Sequence, residues 1–126
     1  MVARPDVPTC ALDERLGDVA ERARRAGWQA CVVVNEARVV LGLLRERELA
    51  DDQDERIDQV MRPGPSTFRP HVSIFEMARY MTDHDVVNSP ITTGDGELIG
   101  LLRREDALAV VEQAHRQHHH DEEHDG

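Results

Sequence analysis

One feature constrains this chain above all others: it repeats itself at a fixed offset of 58 residues. Gly42-Leu43-Leu44-Arg45 recurs as Gly100-Leu101-Leu102-Arg103. At the same offset Val2, Arg4, Pro5, Thr9 and Ala20 recur as Val60, Arg62, Pro63, Thr67 and Ala78. No gap is needed. Two tandem copies of a small unit imply that each covers apolar surface on the other. The expected result is a pseudo-two-fold interface, with any ligand seated at it. The expected boundaries are 1–58 for the first repeat, 59–114 for the second, and 115–126 for a flexible tail rich in histidine and acid.

Composition narrows the class. The 126 residues suffice for one compact domain, whereas half that length is marginal alone. Hydrophobic residues make up 40%, which fits a globular chain. Aromatic residues are confined to Trp28, Phe68, Phe75 and Tyr80, so the core must be aliphatic. The net charge of −10 argues against nucleic acid as a partner, because phosphate binding needs a basic surface. No apolar run is long enough for a membrane span, and no basic-then-apolar leader opens the chain, so a cytoplasmic location is expected. Cys10 and Cys31 show no CxxC spacing and are read as reduced core thiols, with a redox pair as the alternative.

Each repeat reads as β-α-β-β-α. In the first, Val7 to Cys10 is extended, and Asp13 is placed to cap a helix. Leu16, Val19, Ala20 and Ala23 form one face of that helix, which ends near Gly27. Two β-branched runs, Ala30 to Asn35 and Arg38 to Leu44, suggest a hairpin, and a short helix follows to Asp51. In the second repeat Ser73 and Glu76 form a capping box. Ile74, Met77, Ala78 and Met81 repeat the apolar stripe, and Gly94-Asp95-Gly96 turns a second hairpin. Between the repeats, Ile57, Val60 and Met61 suggest one helical turn, stopped by Pro63 and Pro65. The expected class is α/β (α+β), with two such units packed about a pseudo-two-fold axis.

The order of elements, the Met61-Arg62-Pro63 link, the Ser89-Pro90-Ile91 strand and the Gly100-to-Asp106 ending together resemble a tandem pair of cystathionine β-synthase (CBS) domains. This arrangement is also called a Bateman module, here of the stand-alone type. The resemblance covers roughly residues 2 to 113. It implies a regulatory module that binds an adenine nucleotide or another adenosyl compound (AMP, ATP or S-adenosylmethionine) and acts through a homodimer or an unknown protein partner. It implies no enzyme, and no nucleic acid or membrane as partner. Carried over by position, one site combines Arg103 and Asp106 with Thr9, Cys31 and Val32. The other combines Arg45 and Glu48 with Thr67, Ser89, Pro90 and Ile91. Arg45 and Arg103 stand where the family has Thr or Ser, Glu48 where it has Asp, and Val32 where it has Pro. Asp106 keeps the family's ribose-binding residue.

The chemistry of these residues admits two readings. A carboxylate accepts two hydrogen bonds from adjacent ribose hydroxyls, and an arginine at a helix start offers a planar fork to phosphate. Alternatively, Arg45–Glu48 and Arg103–Asp106 are i,i+3 pairs that can close on themselves. Thr9 and Thr67 suit strand starts for packing reasons alone. Gly42 and Gly100 can serve close backbone approach with or without a ligand.

Five of seven histidines fall at 115, 118, 119, 120 and 124, a spacing that can chelate zinc or nickel if helical. A frayed, solvated terminus is the simpler expectation. No nucleophile elbow surrounds Ser66, Ser73 or Ser89, and no phosphate-loop glycine pattern occurs. Three functions therefore stand in order: a sensor of an adenosyl ligand, a degenerate pair acting only as an interaction scaffold, and a metal binder working through the tail.

Overall fold

A computed structural model describes residues 2–125, with side chains through residue 116. In the first repeat, β1 (Thr9–Cys10) leads into α1 (Leu16–Arg25), then β2 (Cys31–Val34), β3 (Val40–Leu44) and α2 (Glu46–Leu49). The link carries α3 (Ile57–Val60) and β4 (Arg62–Pro63). The second repeat holds α4 (Ile74–Asp83), β5 (Asn88–Thr92), β6 (Leu98–Arg103) and α5 (Arg104–Asp125). The histidines at 118, 119, 120 and 124 have side chains outside the described residues, so the metal reading of the tail lies outside them too.

The helices form where the apolar stripes demand. Leu16, Val19 and Ala23 of α1 are buried, as are Met77, Ala78 and Met81 of α4. Ser73 accepts a hydrogen bond from the Glu76 amide at 3.2 Å, which caps α4. Asp13 does not cap α1. The cap position is Arg15, without a side-chain bond. Glu14 accepts from the Ala11 amide at 2.8 Å and binds Arg22, so the turn before α1 is held from inside.

Both hairpins obey the 58-residue register down to their irregularities. β2 and β3 are antiparallel with a register shift at Val33/Val34, and β5 and β6 shift at Ile91/Thr92. Asn35 Oδ1 accepts from the Val39 amide at 2.9 Å, and Thr93 Oγ1 accepts from the Glu97 amide at 3.1 Å. The tips then bond each other reciprocally. The Val40 amide donates to the Gly96 carbonyl at 3.0 Å, and the Leu98 amide donates to the Arg38 carbonyl at 2.9 Å. Exchange of roles between register partners is the mark of a local two-fold.

The repeats are interlocked at their sheet edges. β4, from the link, pairs with β3 through Leu43 and Arg62. The N-terminal segment pairs with β6 through Arg4 and Leu101, with backbone bonds of 2.8 and 2.9 Å. Each lead-in thus closes the sheet of the other repeat. Gly42 and Gly100 make this possible. A Cβ at Gly42 would stand 2.5 Å from Met61 Sδ, and one at Gly100 would stand 3.0 Å from the Arg4 carbonyl.

Three apolar clusters result. One, with Cys10, Leu16, Cys31, Leu44 and Ile57, fills the first repeat. Another, with Ala3, Met77, Met81, Ile91 and Leu102, fills the second. The third joins Val7, Val32 and Leu43 to Leu98 and Leu101, and so seals the interface. Cys10 and Cys31 are buried and free, and each helps to fill the first core. No described helix is long and apolar enough to cross a membrane.

Candidate functional site

The interface opens on one side into a cleft of about 1050 Å³. Four pairs of register partners share its walls: Arg45 and Arg103, Glu46 and Arg104, Arg47 and Glu105, and Ala50 and Leu108. β3 runs into α2 at Arg45, and β6 runs into α5 at Arg104. The two strand ends therefore deliver the two motif arginines to one place. Four arginines (45, 47, 103 and 104) meet three acids (Glu46, Asp85 and Glu105) in the wall, leaving one net positive charge in a chain of net −10.

The acids behind the motif arginines are engaged. Arg45 donates to Glu48 through Nε at 2.7 Å and Nη2 at 2.9 Å, and the Arg45 amide donates to Glu48 Oε1 at 3.0 Å. Glu48 is 7% exposed and completes a capping box on α2. Burial works against its charge, yet the bonds from the Arg45 side chain and amide hold its carboxyl below the usual range.

Asp106 accepts from Arg103 Nε at 2.9 Å and Nη2 at 3.3 Å, and from Arg4 Nε at 3.3 Å. The Arg103 bond is the main reason its carboxyl is also held low; partial burial opposes this, and Arg4 adds to it. Asp106 is more open than Glu48, with 19% of its side chain exposed against 8%. The self-paired reading of both motifs is therefore the geometry seen here.

The remaining residues distribute unevenly. Arg45 and Arg103 are brought together at the cleft. Val32 lies in the shared interface cluster. Cys31 and Ile91 lie in the cores of their own repeats and do not line the cleft. Ser89 is fully buried and donates to the Ser66 carbonyl at 2.6 Å, and Pro90 is buried beside it. Thr9 is half-buried, with its carbonyl accepting from Arg22, and Thr67 is exposed.

Sequence reasoning missed three contributors. Trp28 lines the cleft, and the Arg103 guanidinium lies 5.4 Å from its ring centroid. Its position just after a helix-ending Gly27 was the available signal. Arg104 lines the cleft and binds Asp85 at 2.9 Å. Arg4 reaches Asp106 because the N-terminal lead-in crosses to the other sheet, which the Arg4/Arg62 register pairing foreshadowed. Among the described residues no cluster of three or more metal-ligating groups forms.

Comparison with known proteins agrees with this architecture. The CBS domain profile matches residues 1–54 and again residues 57–113. An uncharacterized protein of Methanopyrus kandleri, MK0525, is 30% identical over 117 residues, covering 86% of this chain and 60% of its own length. The magnesium transporter MgtE of Thermus thermophilus is 32% identical over 81 residues, 64% of this chain and 18% of the transporter. The chain thus spans less than two thirds of the curated relatives it matches. Among solved structures, the cytosolic domain of the Mg2+ channel MgtE in complex with ATP superposes with a TM-score of 0.76 at 27% identity, over 84% of this chain and 45% of that one. CBSX2 in complex with AMP superposes at 0.79 and 17% identity, over 90% and 93%, which bears on the fold alone. With two family matches in tandem over an interlocked two-fold pair, this chain belongs to the CBS domain family.

Proposed function

We propose that this chain is a regulatory module that binds an adenine nucleotide, AMP or ATP, in the cleft between its repeats, and that it acts by binding and not by catalysis. The carrying observation is the convergence of Arg45 and Arg103 on one cleft, with the Asp106 carboxylate held beside Arg103. The arginine forks suit phosphate oxygens, and Asp106 suits the two ribose hydroxyls. The ATP complex of the similar MgtE domain supports the ligand class. S-adenosylmethionine, which lacks phosphates, fits an arginine-lined wall less well.

Binding begins with an exchange of partners. Phosphate takes over the Arg103 fork from Asp106, and Asp106 turns to the ribose. Because the cleft is walled by both repeats, a bound ligand favours one angle between them. The readout is a homodimer or a protein partner, for which the exposed Phe75 and Leu108 offer apolar surface.

The two acids are not equivalent in this proposal. Glu48, nearly buried and bonded to the Arg45 amide, is a helix cap; Asp106, more open and bonded only to arginine side chains, is the ligand-binding carboxylate. A thermal-shift titration with AMP and ATP tests the reading. A ligand specific for the folded state raises stability by about 2.7 kcal/mol at a hundredfold excess over its dissociation constant. We expect a rise with at least one nucleotide, and its loss in Asp106→Ala. No rise with either at millimolar concentration leaves the scaffold reading, which the closed ion pairs favour.

A further inference from the structure

Asp106 is held from two directions, and the two holds differ in kind. The Arg103 fork takes one site on each carboxylate oxygen, Nε on Oδ2 at 2.9 Å and Nη2 on Oδ1 at 3.3 Å. Arg4 adds a single bond, Nε on Oδ2 at 3.3 Å. An ionised carboxylate has about four acceptor sites, two on each oxygen. When the fork leaves for a phosphate, Oδ1 is fully open and Oδ2 keeps one open site beside the Arg4 bond. One free acceptor on each oxygen is what two adjacent ribose hydroxyls need. Arg4 can therefore stay in place while the ligand binds.

The backbone sets Arg4 where it is. Its amide donates to the Leu101 carbonyl at 2.8 Å, and its carbonyl accepts from the Leu101 amide at 2.9 Å. The strand so gripped, β6, ends at Arg103 itself. Cross-strand partners share a face of a sheet, and Arg103, two residues after Leu101, shares it too. Gly100 admits the approach, since a Cβ there would stand 3.0 Å from the Arg4 carbonyl. A residue 102 positions from Asp106 is thus fixed to the strand that carries the motif arginine.

The first repeat has the same lead-in without the same bond. Arg62, the register partner of Arg4, pairs with Leu43 as Arg4 pairs with Leu101. Among the described residues Arg62 makes no bond to Glu48, whose third bond comes from the Arg45 amide. Glu48 is one methylene longer and turns back onto its own helix start. The second cation therefore belongs to the motif that keeps the aspartate.

We propose that Arg4 is the positioning residue for the ribose-binding carboxylate, an inference that rests on the nucleotide reading above. A phosphate that draws the Arg103 fork away removes two of the three bonds on Asp106. The Arg4 bond remains, anchors Oδ2, and leaves one acceptor on each oxygen for the diol. Without Arg4 the carboxylate is free to follow Arg103, and it competes with the phosphate for the fork.

Calorimetric titration of the full chain with ATP and with 2′,3′-dideoxy-ATP tests this. The two ligands share charge and base and differ only in the diol. Wild type should prefer ATP by at least about tenfold, since each hydroxyl bonds a charged acceptor. Arg4→Gln should cut that preference about fivefold, the upper end for a half-exposed ion pair. Arg4→Lys should restore most of it, because one charged donor is all that Oδ2 requires. Arg4→Gln leaves the backbone pairing intact, so amide exchange at Arg4 and Leu101 should match wild type. An equal loss for both nucleotides overturns the proposal, because it makes Arg4 a general charge. An unchanged preference in Arg4→Gln overturns it while the nucleotide reading stands. Tighter ATP binding in Arg4→Gln also overturns it, because Arg4 would then be a competitor of the ribose. Wild type that binds both nucleotides equally, or neither, removes Asp106 as the ribose carboxylate and takes this inference with it.

Discussion

Arg38 has a φ of 63°, a left-handed conformation that costs a side-chain-bearing residue about 1 kcal/mol or more. Its register partner, Gly96, takes the same turn at 87° without that cost. The contribution of Arg38 to the fold is its backbone, which accepts from Leu98 and donates to Asn35. Arg38→Gly keeps those bonds and should raise stability by about 1 kcal/mol in urea denaturation. Asp85, at 53°, is the partner of Gly27 but also binds Arg104. Asp85→Gly should therefore gain less. At Glu48 and Asp106 the arginine bonds hold the folded-state carboxyls below their unfolded values, which are about 4.3 and 3.9. Their stabilisation is complete above those values and is lost as pH falls through the lower folded ones. Tm should fall below about pH 4, and less steeply in Glu48→Gln, whose own stability at pH 7 is lower because an Arg45 bond is lost. A Tm-versus-pH series from 7 to 3 measures both slopes.

At the scale of elements, legibility followed periodicity. The stripes of α1 and α4 and the two hairpins could be read because each side chain faces one way for many residues. The crossed lead-ins could not be read. β4 is two residues long and the Arg4–Leu101 pairing is a single bridge, and each depends on a chain that crosses from the other repeat. The cap of α1 was missed because Glu14 takes its bonds from the turn and not from the helix. For the site, the motif arginines were identified, but their closeness to each other and to Trp28 is a product of the two-fold. The strand residues Cys31 and Ile91 illustrate the period-two problem: a strand alternates faces, and these two face inward. The crossed edges rest on Gly42 and Gly100. Gly100→Ala puts a methyl against the Arg4 backbone, which has no flexible end to yield, and should cost about 2 kcal/mol with faster amide exchange at Arg4 and Leu101. Gly42→Ala meets the movable Met61 side chain first but also the Arg62 carbonyl at 3.0 Å, and should cost a similar amount or less.

At the scale of the whole molecule, the crossing makes the sequence repeat and the folding unit different objects. A piece ending at residue 58 keeps β1, β2 and β3 but loses β4, and with it the partner of the β3 edge. It also uncovers Val32 and Leu43, which share the interface cluster with Leu98 and Leu101 of the second repeat. A piece beginning at residue 59 loses Ala3 from its core and the Arg4–Leu101 pairing from its sheet. Each half therefore sheds both a sheet edge and an apolar face, in units already small for a stable core. Neither should fold alone by circular dichroism or amide dispersion. Mixed, they should recover the native spectrum, since every missing contact is held by the other half. The intact chain should unfold in one transition, with matching midpoints from Trp28 fluorescence in the first repeat and from methyl signals of Met81 in the second. Two separated midpoints would mean that the interface cluster and the crossed strands couple the halves too weakly for a ligand in the cleft to be felt by both.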